Sequence, residues 1–99
     1  MLEKFTVYQM AKEYYWICRE LKMPNLLKDQ LLRASSSIAL NIAEGAGKNS
    51  AADRKRYYAI ALGSLRESNA ILELEKLQNL ELANKGDQLA AMLFVLSKK

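Results

Sequence analysis

The 99-residue chain contains no histidine. The commonest general base and the commonest transition-metal ligand are therefore missing, as are the Glu-x-x-His pairs that build di-iron bundles. A serine or cysteine nucleophile would have no imidazole to activate it. The single cysteine, Cys18, excludes an internal disulfide and gives no sign of an oxidising compartment. One proline and four glycines leave few breakpoints, which favours long helices over a turn-rich β fold. Uncharged runs are short as well. The stretch "ASSSIALNIA" is among the longest, with four of its ten residues polar, and well below the ~20 residues of a membrane span. The start "MLEKFTVYQMAKEYY" has no apolar signal-peptide core. These absences predict a cytoplasmic protein without membrane contact, cofactor, metal or catalytic residues.

What is present is apolar and periodic. Hydrophobic residues make up 51% of the chain, ample for one core and enough to suggest self-association. A single domain over residues 1–99 is expected. Four helical segments can be read. The first spans about Glu3 to Lys22, with Val7, Ala11, Tyr14, Cys18 and Leu21 at helical spacing, and Met23-Pro24-Asn25 ends it. Asn25 is the expected N-cap of a second helix reaching about Gly45, where Gly45 and Gly47 would supply left-handed conformations. Ser50 with Asp53 caps a third helix running to about Leu77 or Leu82. Its stripe of Tyr58, Ala61, Leu65 and Leu72 lies beside a row of Tyr57, Ile60, Ile71 and Leu74, which predicts two packing neighbours. Asn84 with Asp87 repeats the capping pattern before a short fourth helix carrying Leu89, Met92, Leu93 and Leu96. The expected fold is all-α, an antiparallel four-helix bundle.

Polar residues interrupt this scheme in two places. Along helix two, Gln30, Arg33, Ser37, Asn41 and Glu44 form a row that continues to Lys48. A solvated face is its plain reading. Ser64 and Glu67, however, share a row of helix three with apolar residues, where unpaired polar groups cost ~1–3 kcal/mol each. Ser37, Asn41, Glu44, Ser64 and Glu67 are therefore expected to form a polar seam that fixes register. Glu44 and Glu67 alone, without histidine or further acids, are a poor metal site. "GAGKNS" has the wrong spacing for a phosphate loop and follows a helix instead of a strand. A strip of Ser36, Ala39, Ala43 and Ala46 suits close helix packing. Phe5, Tyr8, Tyr14, Tyr15 and Trp16 cannot all face one core, and a subunit interface or base stacking would use them.

Charge is divided along helix three. Residues 50–66 hold Arg54, Lys55, Arg56 and Arg66 against Asp53 alone, whereas 67–88 hold Glu67, Glu73, Glu75, Glu81 and Asp87 against Lys76 and Lys85. Cations at a helix start oppose the macrodipole, so another interaction must favour them. Either the basic start pairs with an acidic end of a neighbour or subunit, or Lys48, Arg54, Lys55 and Arg56, with Arg33 and Arg66, meet phosphates.

The segments "QLLRASSSIALNIAEGAGK" and "YYAIALGSLRES" resemble bacterial four-helix-bundle proteins related to the 23S ribosomal RNA intervening-sequence proteins. The accessory variability determinant protein of diversity-generating retroelements belongs to the same structural group. The resemblance rests on Gln30, Arg33-Ala34, Ser37, Asn41-Ile42-Ala43-Glu44-Gly45, Tyr58, Ala61, Gly63-Ser64-Leu65 and Glu67, and covers about residues 27–75. It implies a homo-oligomeric ring, typically a pentamer, with a basic surface suited to nucleic acid, RNA by association. In the retroelement branch the ring also binds a reverse transcriptase, so a protein-interaction scaffold is the alternative function.

Overall fold

The structure, a computed structural model, describes residues 2–99 and consists of four helices: α1 (Leu2–Glu20), α2 (Asn25–Ala46), α3 (Ala51–Leu74) and α4 (Leu80–Leu96). They run up, down, up and down in a bundle 40 × 23 × 17 Å. Each helix packs on its chain neighbours and α4 closes back on α1, so α1 and α3 stand on opposite corners. Val7, Ala11, Tyr14 and Cys18 form the buried stripe of α1, and Tyr58, Ala61, Leu65 and Leu72 that of α3. Each buried leucine contributes about 1.5–3 kcal/mol. Of the second row on α3, Ile71 is buried but Ile60 and Leu74 are exposed, so that row only partly meets a neighbour within the chain.

The helix ends differ from the sequence expectation in physically informative ways. Pro24, not Asn25, caps α2, and it does so without a side-chain bond: its carbonyl accepts from Lys28 N at 2.9 Å. Lys28 then closes α1 from outside, its ammonium donating to the carbonyls of Cys18 (3.1 Å), Arg19 (2.7 Å) and Leu21. Neither Gly45 nor Gly47 is left-handed; among the described residues no glycine has positive φ. Gly45 lies inside α2, and Gly47 ends it at φ −88° with its N–H on Glu44 O. Ser50 caps α3 as its spacing predicts, accepting from Asp53 N at 3.1 Å.

Helix α3 stops at Leu74 rather than at Leu77 or Leu82. Leu77 N bonds Leu72 O (2.8 Å) and Lys76 N bonds Glu73 O (3.1 Å), with Lys76 left-handed at φ 56°. This is a Schellman ending, with Leu77 packed on the core as its hydrophobic contact. Helix α4 then starts early: Asn79 is its cap, accepting from Leu82 N at 2.8 Å, so Asn84 and Asp87 fall within the helix. A lysine in the left-handed region pays a steric penalty that glycine avoids. Lys76→Gly should therefore stabilise the fold by about 1 kcal/mol, a rise of roughly 4–8 °C in Tm, read by thermal unfolding.

One polar cluster crosses the core. Tyr14 Oη, fully buried, donates to Asn69 Oδ1 at 2.7 Å, and Gln78 Nε2 approaches the same oxygen at 3.4 Å. Burial, and then the neighbouring Cys18 thiol, raise the Tyr14 pKa well above its ordinary value. The phenol thus stays protonated and available as a donor. Asn69→Leu leaves that donor stranded and should cost about 2–3 kcal/mol in urea unfolding. Adding Tyr14→Phe should recover much of the loss, because neither partner then remains unpaired.

Candidate nucleic-acid interface

The α2–α3 turn gathers cations because the chain reverses there within four residues, 47–50, setting Lys48 beside the first turns of α3. Tyr57 is the centre of the group. Lys48 Nζ lies 5.2 Å from its ring centroid and the Arg56 guanidinium 4.7 Å. Both cations also have a carboxylate partner: Lys48 pairs with Glu44 at 3.1 Å and Arg56 with Asp53 at 3.8 Å. The Glu44 hydrogen bond is the main reason the Lys48 pKa is raised, so the ammonium stays charged.

Arg54 has a different task. Its Nη1 donates to the carbonyls of Lys48 (3.2 Å) and Asn49 (3.0 Å), so it fixes the turn. Half of its fork is committed to structure, while among the described residues Lys55 makes no side-chain ion pair or hydrogen bond. Arg33 and Arg66 do not join this cluster. Both are exposed, near the middle of α2 and in the second half of α3. At ~1.5 Å per residue Arg33 lies about 20 Å along the axis from Ala46, and Arg66 about 15 Å from Arg56.

The up-and-down topology adds two cations that sequence spacing could not place. The end of α4 lies at the same end of the bundle as the start of α3, bringing Lys98 and Lys99 there. Lys98 Nζ is 5.3 Å from the Phe94 ring centroid. The tail "SKK" was the only signal, and it means nothing until the direction of α4 is known.

The seam residues separate into two sets. Asn41 Nδ2 donates to Ser37 O and to Ser37 Oγ, both at 2.8 Å, and Ser37 Oγ lies 2.9 Å from Ser64 Oγ. Ser37 Oγ has a second lone pair and a proton, so the bond to Ser64 can run in either direction. Glu44 and Glu67 are outside this chain of bonds. Both are exposed, Glu44 on Lys48 and Glu67 at the rim of a groove, because a buried carboxylate without a partner is far costlier than one in water. That groove, of about 360 Å³, is lined by Gln30, Arg33, Ala34, Ser37, Ser64 and Glu67. Among the described residues no ion pair joins its Arg33 and Glu67.

Burial pushes the Cys18 thiol up to about 12, so it carries no thiolate at neutral pH. Among the described residues no three Cys, Asp or Glu side chains assemble into a possible metal site, and no helix is long and apolar enough to cross a membrane.

A family model described as "23S rRNA-intervening sequence protein" matches residues 3–99. No curated protein and no solved structure gives a match.

Proposed function

Because the chain belongs to the 23S rRNA-intervening sequence protein family, we propose that it is a self-assembling, non-catalytic bundle that binds nucleic acid, RNA in the first instance, through the end of the bundle that carries the α2–α3 turn. The observation that supports this most is the pair of Lys48 and Arg56 over the Tyr57 ring, with Arg54 and Lys55 in the first turns of α3 and Lys98 and Lys99 at the same end. Two cations held over an aromatic ring present charge with little motion left to lose. Contacts of this kind meet phosphates and position a strand without reading its sequence. Arg33 and Arg66 extend the basic surface along the sides of α2 and α3. The Ser37–Ser64 hydrogen bond, with Asn41 bonded to Ser37, helps keep α2 and α3 in register beneath it, and Glu44 and Glu67 take no part in that link. In a ring of five, the arrangement the family resemblance favours, the basic ends would form one continuous rim.

The test is affinity for a labelled structured RNA and a DNA duplex across a salt series. Four phosphate contacts per chain predict a slope of log K against log[salt] of roughly −3 to −4. A shallow slope, or no binding at about 50 mM salt by assembled protein, would remove this reading. A protein-interaction scaffold, with a reverse transcriptase as one possible partner, would then be the better account.

A further inference from the structure

Two exposed faces on opposite corners of the bundle match each other in shape, charge and height. On α1, Phe5, Tyr8, Lys12, Tyr15, Trp16 and Arg19 share one side, with Tyr8, Lys12 and Tyr15 half-buried and Tyr8 resting against the core at its inner edge. Phe5 is 62% exposed and Trp16 53%. Lys12 Nζ lies 4.7 Å from the Tyr8 ring centroid and 5.8 Å from that of Trp16, and Arg19 sits 5.8 Å from the Tyr15 ring. The nearby acid Glu13 is turned towards α4, where it pairs with Lys85 at 3.2 Å. This face is bulky and cationic.

On α3 the outward side carries Ile60, Gly63, Glu67, Ala70 and Leu74, alternating three and four residues apart as in a helix-packing seam. Ile60 is 42% exposed and Leu74 75%. A Cβ at Gly63 would meet nothing within 4 Å, so no contact within the chain calls for a glycine there. An exposed glycine in mid-helix costs about 1 kcal/mol relative to alanine. This face is small at its centre, with Gly63 and Ala70, and among the described residues Glu67 on it has no ion-pair partner.

Height decides the pairing. The Tyr14–Asn69 hydrogen bond, spanning 55 residues, puts residue n of α1 level with about residue n + 55 of α3. Both helices run the same way, since each is antiparallel to the helices beside it. Rotation about an axis parallel to the bundle leaves heights unchanged. It therefore brings Phe5 of one copy to Ile60 of the next, Tyr8 to Gly63, Lys12 to Glu67 and Tyr15 to Ala70. Tyr8 and Tyr15 meet the small Gly63 and Ala70, Phe5 meets the apolar Ile60, and the cation Lys12 meets the acid Glu67.

We propose that the α1 face of one copy docks on the α3 face of a second copy, with Tyr8 over Gly63 and Lys12 on Glu67. The inference rests on the self-assembly in the reading above and not on its nucleic-acid part. Because the two faces differ, the contact is head-to-tail, and each added copy leaves one face of either kind open until a ring closes. Phosphate is a poorer occupant of the α3 face, where Glu67 would repel it.

The experiment uses two variants, each altered at an exposed position: Gly63→Trp blocks the α3 face and Trp16→Glu the α1 face. Assembled mass is read by sedimentation or native mass spectrometry, with thermal unfolding to verify that both fold. The parent should be a multi-chain assembly and each variant alone a single chain. Mixed, they should give a two-chain species and nothing larger, because only one intact pair of faces remains. A single-chain parent, a folded variant that assembles like the parent, or a mixture of folded variants that stays single-chain would overturn the proposal. Salt-sensitive RNA binding in the same samples reports on the nucleic-acid reading separately. If Trp16→Glu lowers RNA affinity but leaves assembly intact, the α1 aromatics are a base-stacking surface and the docking proposal is wrong.

Discussion

Replacing Lys55 and Arg56 together by glutamate should weaken binding to structured RNA by about 100-fold at 50 mM salt. Each phosphate contact on a duplex contributes roughly one power of ten at that salt concentration through released counterions, so two lost contacts account for the effect. Arg54 is left in place deliberately. Its guanidinium holds the carbonyls of Lys48 and Asn49, and reversing its charge would disturb the turn as well as the surface. The salt slope should also become shallower by about two units, a signature that a general loss of folding would not give. Binding unchanged within a factor of three would exclude this end of the bundle as the contact surface. The same variant should melt within a few degrees of the parent, because the interactions lost are the exposed Arg56–Asp53 ion pair, worth ~0–1 kcal/mol, and the Arg56 contact with the Tyr57 ring, worth about 0.5–1 kcal/mol.

Adding a single methyl group should be felt most at Gly45. A Cβ added there would stand 3.0 Å from Tyr57 Cβ and 3.1 Å from the buried ring of Tyr58. Neither neighbour can yield easily: one is the first atom of a helical side chain, the other is packed in the core. Overpacking of this kind costs about 1–3 kcal/mol, with strain at the rigid contact favouring the upper part of that range. Alanine gains up to ~1 kcal/mol from helix propensity, which offsets only part of it. The net expectation for Gly45→Ala is a loss of about 1–2 kcal/mol, and Gly45→Val should lose more. Gly63→Ala is the natural control, since there the propensity gain stands alone and the sign should reverse. Both should be measured by urea unfolding in the Trp16→Glu background, where contact between copies does not enter. If Gly45→Ala and Gly63→Ala shift stability in the same direction, the close approach of α2 to Tyr57 does not limit that site.

The fold was legible because its signals are periodic. Val7, Ala11, Tyr14 and Cys18, or Tyr58, Ala61, Leu65 and Leu72, lie one helical turn or two apart, and such rows become core stripes whatever their partners. The break between α3 and α4 was not legible, because no glycine or proline marks it. Lys76 takes up the left-handed conformation only because Leu77 gains a place on the core, a tertiary event. Gly45 shows the opposite error, since its glycine was read as a conformational device when the fold needs its missing side chain. For the candidate site, spacing placed Lys48 with the start of α3 but could not tell Arg54, which holds the turn, from Lys55, which makes no such bond. Tyr14 and Asn69 meet across 55 residues of chain, and nothing local distinguishes that asparagine from any other polar position on a helix.

The direction in which the four helices run also has a practical side. The start of α1 and the end of α4 emerge beside Lys48, Arg54, Lys55 and Arg56. An affinity tag added before α1 or after α4 would therefore sit over the proposed RNA surface, and a histidine tag would bring imidazoles, which titrate near neutral pH, to a sequence that has no histidine. A fluorophore for binding or mass measurements is better placed at the opposite pole. The turn between α3 and α4, around Lys76, offers an exposed attachment point there. It lies far enough from the basic residues to report on them without shielding them.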